Sequence, residues 1–300
     1  MRITNQIMVN NLKQHLGSNT QRMAGIQEKI ASLKKINKAS DDPGSLVQVM
    51  RLRGNVTENE QYIRNLGEGL SFLDTADAAL DDLTTVMQRV RELTVQAANG
   101  TNDSTSLQTI ADEINVLKEH IQTIANISYA NKYIFAGTNV TKAPCGEEEW
   151  TGNGGSLTME IGVGITVAIN IDMRDIFGNP TGLDDLGNPD GGIFDLFDQL
   201  IADIQSGDSD AISARLEGMD AKIDDILSKR SIIGARVNRL ELHENRMKDE
   251  QVSLKSLLSK REDADLAELA IDLQTQENVY NASLAAGAKI IMPSLLDFLS

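Results

Sequence analysis

The chain has 300 residues, of which 41% are hydrophobic and only 4% aromatic, and its formal net charge is −16. An acidic chain is a poor partner for nucleic acid or for an anionic membrane surface, because both call for clustered Lys and Arg. The one cysteine, Cys145, cannot form an internal disulfide, and no base beside it in the sequence marks it as a nucleophile.

A long helix is predicted at the start of the chain. Apolar residues recur there in steps of three and four, with the polar Asn19 at one skipped position: Leu12, Leu16, Met23, Ile26, Ile30 and Leu33. One narrow apolar seam is typical of a helix that packs against another helix.

Asp42 and Pro43 predict the start of a second long helix, as capping residue and first helical residue. Its apolar face continues to Asn99-Gly100, a C-terminal signal, while Gly54, Gly67 and Gly69 predict a bend or an interruption. A third helix is expected over about 104–130.

The composition changes over 137–192, which is rich in Gly, Asn and Thr. Alternating apolar residues around Leu157–Ile161 and Val167–Ile171 predict strands, and Gly152–Gly155 predicts a turn. The acidic loop that follows could hold Ca²⁺, but it lacks the EF-hand spacing, and Asx turns explain it more simply: Asp184, Asp185, Asn188, Asp190 and Asp195.

Helical periodicity returns at Ile193, stops at Gly207 and resumes after Asp210 as a heptad seam. The seam then changes phase by about one residue, roughly 100° around a helix. The apolar residues beyond the change are Leu266, Leu269, Leu273, Tyr280 and Leu284. The polar stretch 260–263 covers the change, so we expect a domain boundary inside a nearly continuous helix.

These patterns predict a mainly α fold with a small β-rich insertion, built from long coiled-coil-like helices at both termini in an elongated, nested arrangement. Residues 1–40 and 262–300 would form a terminal coiled-coil region, residues 41–138 and 193–261 a helical core domain, and residues 139–192 a β-rich outer domain.

The terminal helices are expected either to pair within the chain or to order against neighbouring subunits. Two helices bury only one stripe against each other, which leaves such a pair marginally stable. The extreme C-terminus is also strongly apolar, with Leu295, Leu296 and Phe298. An apolar end of this kind is costly in water and favours a partner.

Two motifs then point to a family. The stretch 89–102 closely resembles the most recognisable segment of flagellins and their axial relatives, and 40–43 resembles their first interhelix turn. Within that family, Asn131-Lys132-Tyr133-Ile134-Phe135-Ala136-Gly137 resembles the hook–filament junction proteins, or third hook-associated proteins. Flagellins usually carry a sequence centred on Phe-Asn-Gly near this position.

The resemblance implies a structural subunit of the extracellular flagellum that joins the hook side to the filament, with neither catalysis nor a cofactor. It implies export through the flagellar type III channel, which explains a start without the apolar core of a secretory signal. The implied partners are the first hook-associated protein, flagellin, further copies of the chain in a ring or helical layer, and an export chaperone on the C-terminal helix. Arg89 and Arg91, beside Glu92, would bridge to acidic neighbours.

Three alternatives stay open from the sequence. The chain could be flagellin itself, which would polymerise alone into long filaments. It could be a Ca²⁺-binding or enzymatic module, although clustered bases and a nucleophile elbow are not visible. A cytoplasmic coiled-coil scaffold would explain the seams but neither the 133–137 motif nor the β-rich insertion.

Overall fold

A computed structural model describes residues 2–100, 102–146, 149–179, 181 and 191–291, without the side chains of 2–5, 290 and 291. In chain order the elements of this part are α1 (Arg2–Ser32), α2 (Pro43–Ala97), α3 (Ser104–Ala125), β1 (Ser128–Tyr129), β2 (Lys132–Tyr133), β3 (Thr158–Gly162), β4 (Ile165–Ala168), α4 (Arg174–Phe177), α5 (Ile193–Ser206), α6 (Ser209–Glu262) and α7 (Leu266–Ile291). The expected fold class, mainly α with a small β-rich part and long terminal helices, is confirmed.

The chain forms two compact units. Residues 1–58 and 250–300 make the first unit, and residues 59–249 make the second. The division into three regions drawn from the sequence stays a prediction. None of the helices, over the residues described, is long and apolar enough to cross a membrane.

The second helix begins as predicted but is not interrupted. Asp42 accepts hydrogen bonds from the N–H groups of Gly44 and Ser45 at 3.0 and 3.1 Å, which caps α2. Of the bend or interruption predicted at the glycines, the interruption is not found, because α2 runs unbroken from Pro43 to Ala97. One glycine costs a helix about 1 kcal/mol, and the buried face of α2 in the second unit, from Leu66 to Leu93, outweighs that cost.

One contiguous apolar core fills the second unit, and α2, α3, α5, α6 and both β-rich parts contribute to it. Phe177, from the short α4, lies among three other rings. Their centroids are 5.3, 5.7 and 6.5 Å from its own, in Trp150, Phe135 and Phe194. These contacts pack α4 and the residues Phe135 and Trp150 against α5.

Two antiparallel hairpins make up the β-rich part. β1 and β2 are joined by Ala130 and Asn131, whose φ angles of 48° and 62° suit a tight hairpin turn. β3 and β4 are joined at Val163 and Gly164. The strand predicted around Leu157–Ile161 is confirmed, since β3 has the same length and lies one residue later. The strand predicted around Val167–Ile171 is found earlier in the chain, and β4 shares only residues 167 and 168 with it.

In the first unit, α1 packs against α7, which is one of the two arrangements expected from the sequence. The helix break falls at the change of phase, since α6 ends at Glu262 and α7 begins at Leu266. Asp265 starts α7 by accepting a hydrogen bond from the N–H of Ala267 at 2.8 Å. Both sides of this break belong to the first unit.

Candidate assembly surface

The seam between α1 and α7 is only half covered. On α1, all of the predicted helical seam residues are half-buried: Leu12, Leu16, Met23, Ile26 and Ile30. On α7, Leu269 is buried, whereas Leu273 and Tyr280 are half-buried. A pair of helices can cover no more than one stripe of each partner, so this is the expected result of packing without a third helix.

Asn19 on α1 and Gly287 on α7 determine how the two helices pack along the seam. Asn19 is buried, and its amide donates a hydrogen bond to Ser283 Oγ at 3.2 Å across the pair. A polar pair within an apolar seam favours one register, because any other alignment leaves the amide unpaired. Gly287 leaves room for Leu12, whose Cδ2 would lie 2.5 Å from a Cβ at that position.

Leu33 does not belong to the seam, in contrast to the prediction. α1 ends at Ser32, and Leu33 has a φ of 56° with an exposed side chain. Its carbonyl accepts a hydrogen bond from Ala264 N–H at 3.0 Å, which requires the chain to leave the helix here. The buried apolar side chain of this turn is Ile36.

A buried carboxylate lies at the turn between α6 and α7. Glu262 forms ion pairs with Lys34 and Arg53, and Arg53 Nη2 lies 2.5 Å from Oε1. The hydrogen bonds from the Arg53 guanidinium, together with the Lys34 ammonium, hold the pKa of Glu262 below its ordinary value. The Glu262 carbonyl also accepts a hydrogen bond from Lys35 N–H at 2.7 Å. Glu262 therefore connects the linker between α1 and α2 to the linker between α6 and α7.

Exposed apolar and small residues also line the side of α7 that faces away from α1, interspersed with Glu268, Thr275 and Lys289. Leu269, Leu273, Tyr280 and Gly287 fall within about 40° of one another around the helix, on the side of α1. Four other residues lie roughly opposite, within about 80° of one another, and we call them the outer face of α7: Ile271, Val279, Ala282 and Ala286. All four are exposed, and 68% of the Ile271 surface is accessible to solvent.

The first unit has almost no core of its own. Of the 45 buried apolar residues in the described chain, 41 belong to the second unit. The other four are Ile36, Val49, Val56 and Leu269. Helices this long with so little buried surface gain most of their stability when another surface covers them.

The remaining candidate residues are placed as follows. Arg89 forms ion pairs with Glu113 and Glu92, and Arg91 pairs with Asp220, all on the surface of the second unit. Carboxylates of the same chain therefore already partner both arginines. Leu266 and Leu284 are exposed on α7. Leu295, Leu296 and Phe298 lie outside the described residues.

The acidic loop and Cys145 were the candidates for metal binding and for catalysis. Four of the acidic-loop residues lie outside the described part, and the fifth, Asp195, is buried and accepts a hydrogen bond from Gln199 at 2.6 Å. Within the described residues, no group of three or more His, Cys, Asp or Glu side chains could hold a metal ion. Burial raises the pKa of the Cys145 thiol to about 12, which makes it a poor nucleophile.

Comparison with known proteins identifies the family. Residues 3–140 match the family model of the bacterial flagellin N-terminal helical region, and residues 216–299 match that of the C-terminal helical region. The flagellin of Bacillus subtilis is 30% identical over 276 residues, which cover 89% of this chain and 88% of the relative. The chain belongs to the bacterial flagellin family. This flagellin-family protein is therefore a structural subunit of the bacterial flagellum.

Solved structures of flagellar junction proteins share the fold of this flagellin-family protein. The third hook-associated protein of Legionella pneumophila matches with a TM-score of 0.61 at 16% identity, covering 71% of this chain and 98% of that one. The flagellar junction protein FlgL of the same species matches with a TM-score of 0.57 at 17% identity, covering 72% and 99%. At this level of identity, the likeness shows a common fold.

Sequence reasoning missed the outer face of α7 and the role of Glu262. The outer face has a signal, since Ile271, Val279 and Ala282 recur at helical spacing on the side opposite Leu269. The stripe of Leu266, Leu269, Leu273 and Tyr280, which has larger side chains, dominates the apolar pattern of α7. Glu262 has no such signal, because Lys34 and Arg53 are distant in sequence.

Proposed function

We propose that this flagellin-family protein is the subunit that joins the hook side of the flagellum to the filament. Its terminal unit would order against neighbouring subunits, while the second unit keeps its shape from its own core. The first hook-associated protein and flagellin are the proposed neighbours on its two sides. Unlike interfaces on one subunit are heterologous contacts, which produce rings or helical layers.

Ala136, within the motif that resembles junction proteins, is the residue that favours a junction subunit over a filament subunit. It is fully buried, and its carbonyl accepts a hydrogen bond from Asn153 N–H at 3.1 Å. A Cβ on Gly152 would lie 3.2 Å from the Ala136 Cα, so the loop over 152–153 rests directly on this residue. Because Ala136 is fully buried, the larger Asn of a Phe-Asn-Gly sequence would require the loop over 152–153 to move, which supports the junction assignment.

The second candidate function is the filament subunit itself. The sequence relatives described as flagellins favour it, because the B. subtilis protein matches over nearly the whole of both chains. Length therefore does not separate the two functions.

Export and protection of the terminal unit belong to the same proposal. The chain would leave the cell through the flagellar type III channel without a cleaved signal, and a chaperone would cover α7 before export. The exposed outer face of α7 supports this, since an amphipathic helix with a free apolar face suits a grooved partner. We also propose that the protein has no catalytic activity.

Deletion of the gene in its own host tests the assignment. Cells without a junction subunit should make hooks but no filaments, and they should release abundant flagellin into the medium because export continues. Restoring the wild-type gene should restore filaments. Cells that release no flagellin would show that this chain is the filament subunit or acts at an earlier stage, and the junction role would be wrong.

A further inference from the structure

Charge is divided unevenly along this acidic chain. Residues 1–58 carry nine Lys and Arg against four Asp and Glu, a net charge of +5. Residues 59–249 carry 15 Lys and Arg against 32 Asp and Glu, a net charge of −17. Residues 250–300 carry four Lys and Arg against eight Asp and Glu, a net charge of −4, so the first unit as a whole has a net charge of +1. The second unit is therefore the acidic part of the molecule, and the N-terminal segment has the opposite sign.

Part of the positive charge gathers in one hollow of the first unit. The hollow encloses about 330 Å³, and we call it the basic hollow. Its lining consists of Lys29, Lys35, Lys260 and Arg261 with Ile36, Asp41, Asp42 and Ser45. Lys29 lies in the last turn of α1 and Lys35 in the segment after it, whereas Lys260 and Arg261 lie at the end of α6. The hollow thus brings together two pairs of cations that are far apart in sequence.

The two aspartates of the hollow are already engaged with backbone. Asp41 Oδ2 accepts hydrogen bonds from the N–H groups of Asn37 and Lys38, both at 3.0 Å. Asp42 caps α2 through Oδ1, as described above. These backbone bonds hold both carboxylates in place, and four cations against two anions leave the hollow with a formal charge of +2.

The four cations differ from their neighbours in forming no ion pair, although Lys29 and Lys35 help to lower the pKa values of the Asp41 and Asp42 carboxyls across the hollow. Lys34 pairs with Glu262 and Lys38 pairs with Glu28 at 2.6 Å. Among the described residues, no Asp or Glu oxygen lies within 4 Å of the charged nitrogens of Lys29, Lys35, Lys260 or Arg261. A concave surface with unpaired cations suits a ligand that bears carboxylates.

We infer that the basic hollow receives acidic side chains from the 59–249 unit of a second copy of this chain. The inference rests on the proposed function, in which copies lie side by side, and it identifies where two copies meet. The charge of −17 on the second unit supplies the complementary surface. The same charge would repel a nucleic acid or an anionic bilayer from the rest of the molecule.

Cross-linking in flagellated cells tests this contact. A photoreactive residue replaces Lys260 in the full-length chain, and mass spectrometry identifies the partner in any dimer-sized product. We expect cross-links to acidic segments within 59–249 of another copy. The double variant Lys35→Glu/Arg261→Glu should lower the yield at least fivefold, because like charges then face each other.

A matched variant separates this effect from a general change of charge. Arg239 and Arg246 are exposed on α6 in the second unit, and Arg239→Glu/Arg246→Glu changes the net charge by the same amount. The yield from position 260 should stay equal or rise in this variant. Circular dichroism should show the same helix content in both variants, since all four side chains are exposed.

The experiment distinguishes failure of this inference from failure of the assembly proposal. A second photoreactive residue at Ile271, on the outer face of α7, reports assembly independently of the hollow. If Ile271 cross-links to another subunit but Lys260 reaches no copy, reaches only residues 1–58, or reaches lipid or another protein, the inference is wrong and assembly stands. If neither position cross-links to any subunit, the inference and the proposed function both fail.

Discussion

Ala136 shows how one small side chain can mark a subtype within a family. It is fully buried beneath the loop over 152–153, so a larger polar residue meets a lack of space. Such a residue must either push the loop away or bury an unpaired amide. The difference between Ala and Asn at this position is thus a difference in how the β-rich part closes over the helices.

Ala136→Asn should lower the free energy of unfolding by about 2–3 kcal/mol. Urea unfolding followed by circular dichroism measures it. The same substitution at Ala130 is the control, because Ala130 is exposed and has a φ of 48°, a conformation that Asn tolerates well. If Ala136→Asn proves as harmless as Ala130→Asn, the structural argument against the filament subunit is lost.

Glu262 gives the first unit a defined dependence on pH. Its pKa in the folded chain lies below the ordinary 4.5, so its ionised form stabilises the fold above that value. The contribution is lost as pH falls below 4.5 towards the lowered pKa, because the unfolded chain then binds the proton first.

Glu262→Gln should destabilise the first unit by about 1–3 kcal/mol at pH 7 and by much less at pH 3. Amide exchange at Lys35 and Ala264, the two linker residues that the turn holds by hydrogen bonds, measures the effect locally. Glu268→Gln, at an exposed position near the start of α7, is the control. An equal loss at both pH values would mean that the charge of Glu262 is not what stabilises the turn.

At the scale of elements, glycine lowers stability inside a helix but is favoured at a left-handed helix end. Gly54 and Gly234 lie inside α2 and α6, and a Cβ at either would have open space around it. Gly207 ends α5 with a φ of 73°, which an L residue rarely adopts. Gly→Ala should therefore stabilise the chain in the interior of α2 or α6 and destabilise it at the end of α5.

Gly54→Ala and Gly234→Ala should each stabilise the chain by about 0.5–1 kcal/mol. Gly207→Ala should destabilise it by about 1 kcal/mol, and it serves as the matched comparison. Thermal unfolding of the three variants measures all of these differences. Stabilisation by Gly207→Ala would show that the left-handed end of α5 is not required.

The elements could be predicted from sequence where a local signal existed. The end of α5 at Gly207, the cap at Asp42 and the change of phase near Glu262 each rest on neighbouring residues, and all three are found. Continuity of α2 was missed, since its stability comes from distant side chains that pack on it. Leu33 was misplaced because a hydrogen bond to Ala264, far along the chain, ends α1 one residue earlier.

At the scale of the molecule, the two units differ in how much apolar surface they bury. Nearly all buried apolar side chains lie in 59–249, whereas the pair of α1 and α7 has one half-covered seam. Local unfolding free energy follows buried contacts, so the terminal unit should open far more often than the second. This property suits a segment that orders on meeting its neighbours.

Hydrogen exchange of the monomer should show this difference directly. Amides of α7 should exchange roughly 100-fold faster than those over Ile110–Ile124, the buried face of α3. The sample must be a verified monomer, because neighbouring copies would protect α7. Equal protection of the two helices would mean that the terminal unit is complete without partners.

The outer face of α7 links this weak terminal unit to function. Aspartate at Ile271 and Val279 places two charges where we propose that neighbouring subunits pack, yet neither side chain is buried in the single chain. The double variant should therefore change the free energy of unfolding of the monomer by less than about 1 kcal/mol. In cells it should abolish filaments, because a buried interface does not accept unpaired charges.

The matched variant changes Ile232 and Leu242 to aspartate. Both are exposed apolar residues of α6 in the second unit, so the chemistry of the change is the same and only its place differs. Electron microscopy of complemented deletion strains compares the two variants, and immunoblotting of the medium confirms that both are exported. Filaments on cells with the α7 variant would place assembly on another surface, since a charged outer face would then be compatible with it. Bald cells with the α7 variant and normal filaments with the α6 variant would assign assembly to the terminal unit, because only the position of the charges separates the two strains.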